Sequence, residues 1–202
     1  QPRSRGLGDV YKRQVITGLT IEEGKISIFA GANFHGKTTI LEALSVAHYN
    51  HIPGDRREFV ISTDEIPLIT TENRRIVKGV DLSPFMRFLP GNANPKHFTT
   101  NNASGSTSQA ASLIKALECG LRGIMIDEDS SAVNFLLKDP LLKQVVPEDL
   151  EPITPLIDLL PTLKMIKKTV IFAIGALGSL LKTADMIFLV SNFKVGDILI
   201  QK

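Results

Sequence analysis

Apolar positions along the chain fall into two rhythms that alternate. Lys25-Ile26-Ser27-Ile28-Phe29-Ala30 is a short β-favouring run, whereas Thr39-Ile40-Leu41-Glu42-Ala43-Leu44-Ser45-Val46-Ala47 repeats its apolar side chains at helical spacing. The pattern predicts a strand and then a helix. Further on, a helix over Ala111-Ser112-Leu113-Ile114-Lys115-Ala116-Leu117-Glu118 runs through Cys119-Gly120 into an apolar strand from Leu121 to Ile126. The uncharged stretch from Thr169 to Leu181 contains two glycines and is too short to cross a bilayer, so it reads as a buried strand, Thr169 to Ile174, followed by a turn. Strands alternating with helices predict an α/β fold with a mainly parallel sheet flanked by helices. From His51 to about Asn102 the rhythm breaks. Pro53-Gly54-Asp55 and Pro90-Gly91-Asn92-Ala93-Asn94-Pro95 punctuate that stretch, which predicts a loop-rich insert spanning about 51–102.

Composition changes this picture little. The 202 residues are 43% hydrophobic and 22% charged, an ordinary globular balance, and a net charge of +2 neither demands nor excludes nucleic acid. Arg56-Arg57 and Arg74-Arg75 are small basic foci whose plainer reading is a solvated loop or strand edge. One cysteine, Cys119, cannot form an internal disulfide and suits a reducing compartment, so a cytoplasmic location with no membrane partner is expected. Asp9-Val10-Tyr11-Lys12-Arg13-Gln14 is what GAT GTG TAT AAG AGA CAG encodes, a string resembling the transposon end ligated onto DNA in shotgun libraries. Residues 1–14 are therefore expected to be non-native and 15–202 to be a fragment of a longer domain, as the strand-like ending Asp197 to Lys202 also suggests.

Candidate chemistry begins at the first strand–helix junction. Gly31-Ala32-Asn33-Phe34-His35-Gly36-Lys37-Thr38-Thr39 is a complete Gly-x-x-x-x-Gly-Lys-Thr phosphate-binding loop, placed between a strand and a helix as the chemistry requires. Backbone N–H groups and the helix N-terminus present partial positive charge to a polyphosphate, Lys37 reaches the β- and γ-phosphates, and the Thr38 hydroxyl ligates Mg²⁺. The strand from Leu121 ends in Asp127-Glu128. Alone, that pair is a weak signal. Downstream of a phosphate loop, Asp127 is the expected Mg²⁺ carboxylate and Glu128 the base that orients or deprotonates the attacking water. His35 has loop neighbours committed to phosphate and no second ligand at metal spacing, so it is not a metal candidate; His48 and His51 read as structural.

Between these sites, Asn101-Asn102-Ala103-Ser104-Gly105-Ser106-Thr107-Ser108-Gln109-Ala110 resembles the signature region of ATP-binding-cassette (ABC) ATPases. Against their Leu-Ser-Gly-Gly-Gln-x-Gln-Arg it keeps Ser104, Gly105 and Gln109 and departs at Ser106, Thr107 and Ala110. In the same register, Asp127-Glu128-Asp129-Ser130-Ser131-Ala132-Val133-Asn134 is similar to the cassette's Asp-Glu-Pro-Thr-Ser-Ala-Leu-Asp. A helix start at Ser104-Gly105 is an anion-binding terminus, and equally a Ser-capped turn. Closer still is the likeness to the soluble predicted ATPases of the ABC class, carried by Gly31 to Glu42, Tyr49 to Asp55, Gly79 to Phe85, Asn102 to Gln109, Asp127 to Phe135 and Glu151 to Pro155.

That resemblance implies ATP and Mg²⁺ as ligands, a head-to-tail homodimer in which Ser104, Gly105 and Ser106 cap the partner's nucleotide, slow hydrolysis, and an RNA-processing link in at least one lineage. A nucleic-acid clamp using ATP with negligible turnover is the rival reading. A small-molecule kinase leaves Ser104-Gly105 and Ser131 to Asn134 unexplained. Transporter-type cassettes carry a γ-phosphate-sensing histidine after the strand equivalent to Thr169–Ile174; here Gly175-Ala176-Leu177-Gly178 stands instead, and Leu177 replaces the serine usual in the family. The Gly175 and Gly178 amides are expected to meet phosphate in its place. Asp81 with Ser83 is a Mg²⁺-sensing candidate by analogy with the cassette's glutamine loop.

Overall fold

The structure, a computed structural model, describes residues 18–55, 57, 59–89, 94–147 and 150–200; the expected non-native segment 1–14, Arg56 and residues 90–93 lie outside these. In chain order the elements are β1 (Ile26–Ala30), α1 (Lys37–Val46), β2 (Arg75–Val80), β3 (Phe98–Ala103), α2 (Gly105–Glu118), β4 (Gly123–Asp127), α3 (Val133–Leu136), α4 (Pro140–Val145), α5 (Leu156–Met165), β5 (Thr169–Ile174), β6 (Met186–Ser191) and β7 (Lys194–Ile200). The expected α/β class holds. A five-stranded sheet runs in the order β4-β5-β1-β6-β7, with the first four parallel and β7 returning antiparallel.

The central strands have no solvent face. Every residue of β4 and β5 is buried, which is why both appear in sequence as unbroken apolar runs. One face packs Phe29, Ile171 and Phe188 beneath Leu41 of α1, and the Phe29 and Phe188 rings stack at 5.0 Å. The other face packs Ile28, Ile126 and Phe172 against Leu113 of α2 and Leu160 of α5. Helices therefore cover the sheet on both sides, as the alternating pattern predicts.

The insert is less irregular than expected. β2 and β3 pair antiparallel within residues 51–102 and one residue beyond, with register shifts that interrupt the alternation by which a strand is read from sequence. Helix α1 begins two residues earlier, and α2 six residues earlier, than the apolar spacing alone indicates, because each starts at its own polar loop. Among the described residues no helix is long and apolar enough to cross a membrane.

The base of β1 is held by a carboxylate. Asp185 accepts from the Ile26 N–H at 2.9 Å and returns its own N–H to the Ile26 carbonyl at 2.8 Å, while the Lys164 ammonium donates to the other carboxylate oxygen. Burial acts upward on this carboxyl and is the largest influence, but the Ile26 N–H, Lys164 and Lys25 together hold it below its ordinary value of 3.8. A depressed carboxyl stabilises the fold fully above its unfolded value and loses that contribution as pH falls through the folded one. Asp185→Asn should cost about 1–2 kcal/mol at neutral pH. The deficit should shrink toward zero in acid well below pH 3.8, which denaturant melts of the two proteins across pH will check.

Candidate functional site

Register decides where the loops meet. Ala30 lies opposite Ile174 of β5 and Leu189 of β6, and Asp127 lies opposite Ala173, so the turns leaving β1, β4, β5 and β6 open along one edge of the sheet. Strand order reverses at β1, and the crevice beyond such a switch point is where α/β sheets bind ligands.

Gly31 enters the loop through a gap with no room for a side chain. A Cβ there would stand 2.2 Å from the Val190 carbonyl oxygen, and the Gly31 N–H donates to the Ile174 carbonyl at 3.2 Å. Ala32, Asn33, Phe34 and Thr39 are exposed, and Gly36 caps α1 at φ 98° without any side-chain bond. The first intrahelical bond of α1 runs from the Ile40 N–H to the Gly36 carbonyl at 3.1 Å, which leaves the N–H groups of Lys37, Thr38 and Thr39 at the open helix end. Lys37 is only 4% exposed, and its ammonium donates to the Ala32 carbonyl at 2.8 Å within the loop. A cavity of about 410 Å³ is lined by Asn33, Phe34 and Gly36 to Thr39 of the loop together with Asp129 and Phe193. A larger apolar cavity of about 1080 Å³ lies between α1 and residues 59–63 and contains none of the loop.

The structure brings Thr38 and Asp127 together. The Thr38 Oγ1 donates to Asp127 Oδ2 at 2.7 Å, and Asp127 is 3% exposed. Two hard oxygen donors at the phosphate loop suit Mg²⁺, which takes one or two protein oxygens and completes its shell from phosphate and water. No cluster of three or more His, Cys, Asp or Glu able to hold a metal exists among the described residues. The donor set thus fits a metal carried in with a polyphosphate rather than one caged by protein.

Glu128 is held by backbone. The Gly175 N–H donates to Oε2 at 2.8 Å, the Ala176 N–H to both oxygens at 3.2 and 3.0 Å, and the Leu177 N–H to Oε2 at 3.3 Å. Successive N–H groups converging on one anion form a nest. This corrects the expectation that the Gly175 and Gly178 amides face phosphate. That of Gly175 is committed to Glu128, and that of Gly178 donates to the Ala176 carbonyl at 2.8 Å.

Ser104 is exposed and Gly105 opens α2. Within the chain Ser104 acts as a cap, accepting from the Thr107 N–H at 3.3 Å and sharing its hydroxyl with those of Ser106 and Thr107; Ser106 itself is buried. The residue that sequence reasoning left without a role is Gln109. Fully buried, it donates to Ser131 Oγ at 2.7 Å and accepts from the Ala132 N–H at 3.1 Å, and Ser131 in turn donates to the Asp127 carbonyl at 2.7 Å. A glutamine in the first turns of an apolar helix is the signal, since only a satisfied partner makes its burial tolerable.

The remaining candidates make local contacts. Asp81 closes a turn, accepting from the Ser83 N–H at 2.9 Å, and Ser83 holds its carboxyl below the ordinary range. His35 accepts from the Asn192 N–H at Nδ1, the His48 ring lies tilted against that of Tyr49, and His51 bridges Asp55 and the Val46 carbonyl. Arg75 donates to Ser112 Oγ at 2.5 Å and faces Glu72.

Removing Gln109 tests the buried network. Gln109→Leu orphans the Ala132 N–H and takes away the donor to the Ser131 oxygen, and should destabilise the fold by about 2–3 kcal/mol. In urea melts, Ser131→Ala added to Gln109→Leu should cost less than it does alone, because the two share one bond.

Comparison with known proteins follows the geometry. The ABC ATPase P-loop domain family matches residues 8–201. An uncharacterized protein of Methanocaldococcus jannaschii is 36% identical over 129 residues, covering 63% of this chain; the aligned part is 29% of that relative, so the chain spans a minor part of its length. Among solved structures, CbiO1 of Clostridium perfringens, part of the ABC transporter complex CbiONQ, superposes with a TM-score of 0.57 at 13% identity over 89% of this chain and 78% of its own. A dimeric ATP-binding cassette in a post-hydrolysis state with ADP and Pi superposes with a TM-score of 0.55 at 14% identity, over 91% and 88% respectively. Both are similar in fold.

Proposed function

The chain belongs to the ABC ATPase family of P-loop domains, and from that premise we propose that it binds MgATP at residues 31–39 and hydrolyses it slowly as a nucleotide-dependent, head-to-tail dimer in the cytoplasm. The observation that carries the reading is the 2.7 Å hydrogen bond between Thr38 and Asp127, which puts a metal-binding hydroxyl and carboxylate together at the open end of α1.

Each residue then has a task. The amides of Lys37, Thr38 and Thr39 bind phosphate oxygens, and the Lys37 ammonium neutralises β/γ charge as it leaves the Ala32 carbonyl. Thr38 and Asp127 would hold Mg²⁺, which supplies charge neutralisation across the phosphates when bound. Glu128 takes the proton of the attacking water, oriented by the amides of Gly175 to Leu177. Those amides replace a histidine side chain as the orienting group but offer no imidazole to the γ-phosphate, which supports slow turnover. Exposed Ser104 and the Gly105 end of α2 suit contact with a partner's nucleotide, and the dimeric arrangement described for a structural neighbour motivates the same pairing here. The RNA-clamp alternative draws no support from Arg75, which is engaged by Ser112 and Glu72; RNA-stimulated binding without turnover would favour it.

Lys37→Ala should weaken ATP binding by about 2–4 kcal/mol, since it removes the one charged partner of the phosphates in the loop. Isothermal titration reads this directly, and unchanged affinity would show the loop to be vestigial.

Glu128→Gln should bind MgATP, suppress hydrolysis and accumulate as a dimer, because the amide keeps the size but accepts no proton. Adding Ser104→Arg, which sacrifices a helix cap worth about 1 kcal/mol, should return the protein to monomer without loss of ATP affinity. Sedimentation with MgATP distinguishes these states, and a species monomeric in both proteins would sink the dimer reading.

A further inference from the structure

Three carboxylates stand in a row where β4 ends, Asp127, Glu128 and Asp129, and contacts within the chain account for two of them. Asp127 is buried and accepts from the Thr38 hydroxyl, and Glu128 is gripped by the amides of Gly175 to Leu177. Asp129 is different. The short 3-10 turn Glu128–Ser130 leaves it exposed, and among the described residues its side chain has neither a hydrogen bond nor an ion pair. The three do not form one cage, since no group of three such residues able to hold a metal exists among the described residues. Where the cassette pattern Asp-Glu-Pro-Thr has an uncharged proline, this chain therefore carries a free anion.

What Asp129 faces is the phosphate loop. It lines the cavity of about 410 Å³ together with Lys37, Thr38 and Thr39, and among the described lining residues it is the one anion, as Lys37 is the one cation. An unpaired carboxylate placed there acts with opposite sign on two forms of one ligand. A metal-free polyphosphate brings its full negative charge to the carboxylate and is repelled. A polyphosphate already neutralised by Mg²⁺ meets it with less charge, and with metal-bound waters whose O–H groups donate to it. We propose that Asp129 is a specificity-determining residue, through which the cavity selects the metal complex of a nucleoside triphosphate and rejects the metal-free anion; this role rests on the P-loop reading above. Thr38 and Asp127 would hold the ion. Asp129 adds no ligand to it and sets the charge state of the nucleotide that is admitted.

Equilibrium titration of the intact chain with ATP, once in EDTA and once in excess Mg²⁺, reads this selection without relying on turnover. The parent should bind MgATP more tightly than metal-free ATP. Asp129→Asn keeps the size and removes the charge, so it should bind metal-free ATP more tightly than the parent does and MgATP more weakly, cutting the preference about tenfold at low salt. Asp129→Glu keeps the charge and should keep the preference. Inorganic tripolyphosphate, which has no base or sugar, should repeat the pattern, and the difference between parent and Asp129→Asn should fade as ionic strength rises. A role in packing would instead move both forms in the same direction. A preference unchanged in Asp129→Asn, a preference lost equally in Asp129→Glu, or a parent that binds the two forms alike would overturn the selection while leaving the phosphate loop intact. Failure of the parent to bind ATP in either condition would overturn both readings.

Discussion

A single hydrogen bond, from Thr38 to Asp127 at 2.7 Å, joins turns that are 89 residues apart in sequence. It exists because β5 lies between β1 and β4 and sets them both in register, Ala30 against Ile174 and Asp127 against Ala173. Slipping either pairing by one residue moves Asp127 about 3.3 Å along the sheet and exchanges the two buried faces. The faces are not interchangeable, since Phe29 and Ile171 fit under α1 while Ile28 and Phe172 fit under α2 and α5. Two glycines tighten the fit. A Cβ at Gly31 would meet the Val190 carbonyl at 2.2 Å, and one at Gly123 the Thr169 carbonyl at 2.1 Å. The precision of the site is therefore a property of aliphatic packing in the strands beneath it.

What could be read from sequence was what is local in the chain. The phosphate loop is nine consecutive residues between a strand and a helix, so its chemistry and its context share one window. The place of Asp127 at a strand end was legible for the same reason, as the end of an apolar run. Legibility failed where partners are remote. The amides around Glu128 lie 47 to 49 residues away, and Gln109 meets Ser131 and Ala132 across 22 and 23. β2 and β3 were hidden for a different reason, since bulges interrupt the period-two signal on which strand recognition depends.

The missing histidine shows how counting side chains misleads. Leu177 carries no hydroxyl, and by side-chain chemistry its segment has lost its means of touching the site. The structure uses that segment's backbone instead, and an N–H is available from any residue except proline. Glu128 is consequently oriented by groups that substitution at Ala176 or Leu177 leaves in place. The identity of the side chain at 177 thus leaves the hold on Glu128 unchanged.

The segment that begins at Ser104 is tied to Asp127 in the same remote manner. Ser104 begins α2; five residues on, Gln109 bonds to Ser131, whose hydroxyl bonds to the carbonyl of Asp127 itself. The Ala132 N–H closes the loop on the other side of the same amide. A buried amide with its partners satisfied resists stretching, because breaking any one bond strands a polar group in an apolar interior. The first turns of α2 and the end of β4 are therefore joined through Gln109 and Ser131 by bonds that are costly to break.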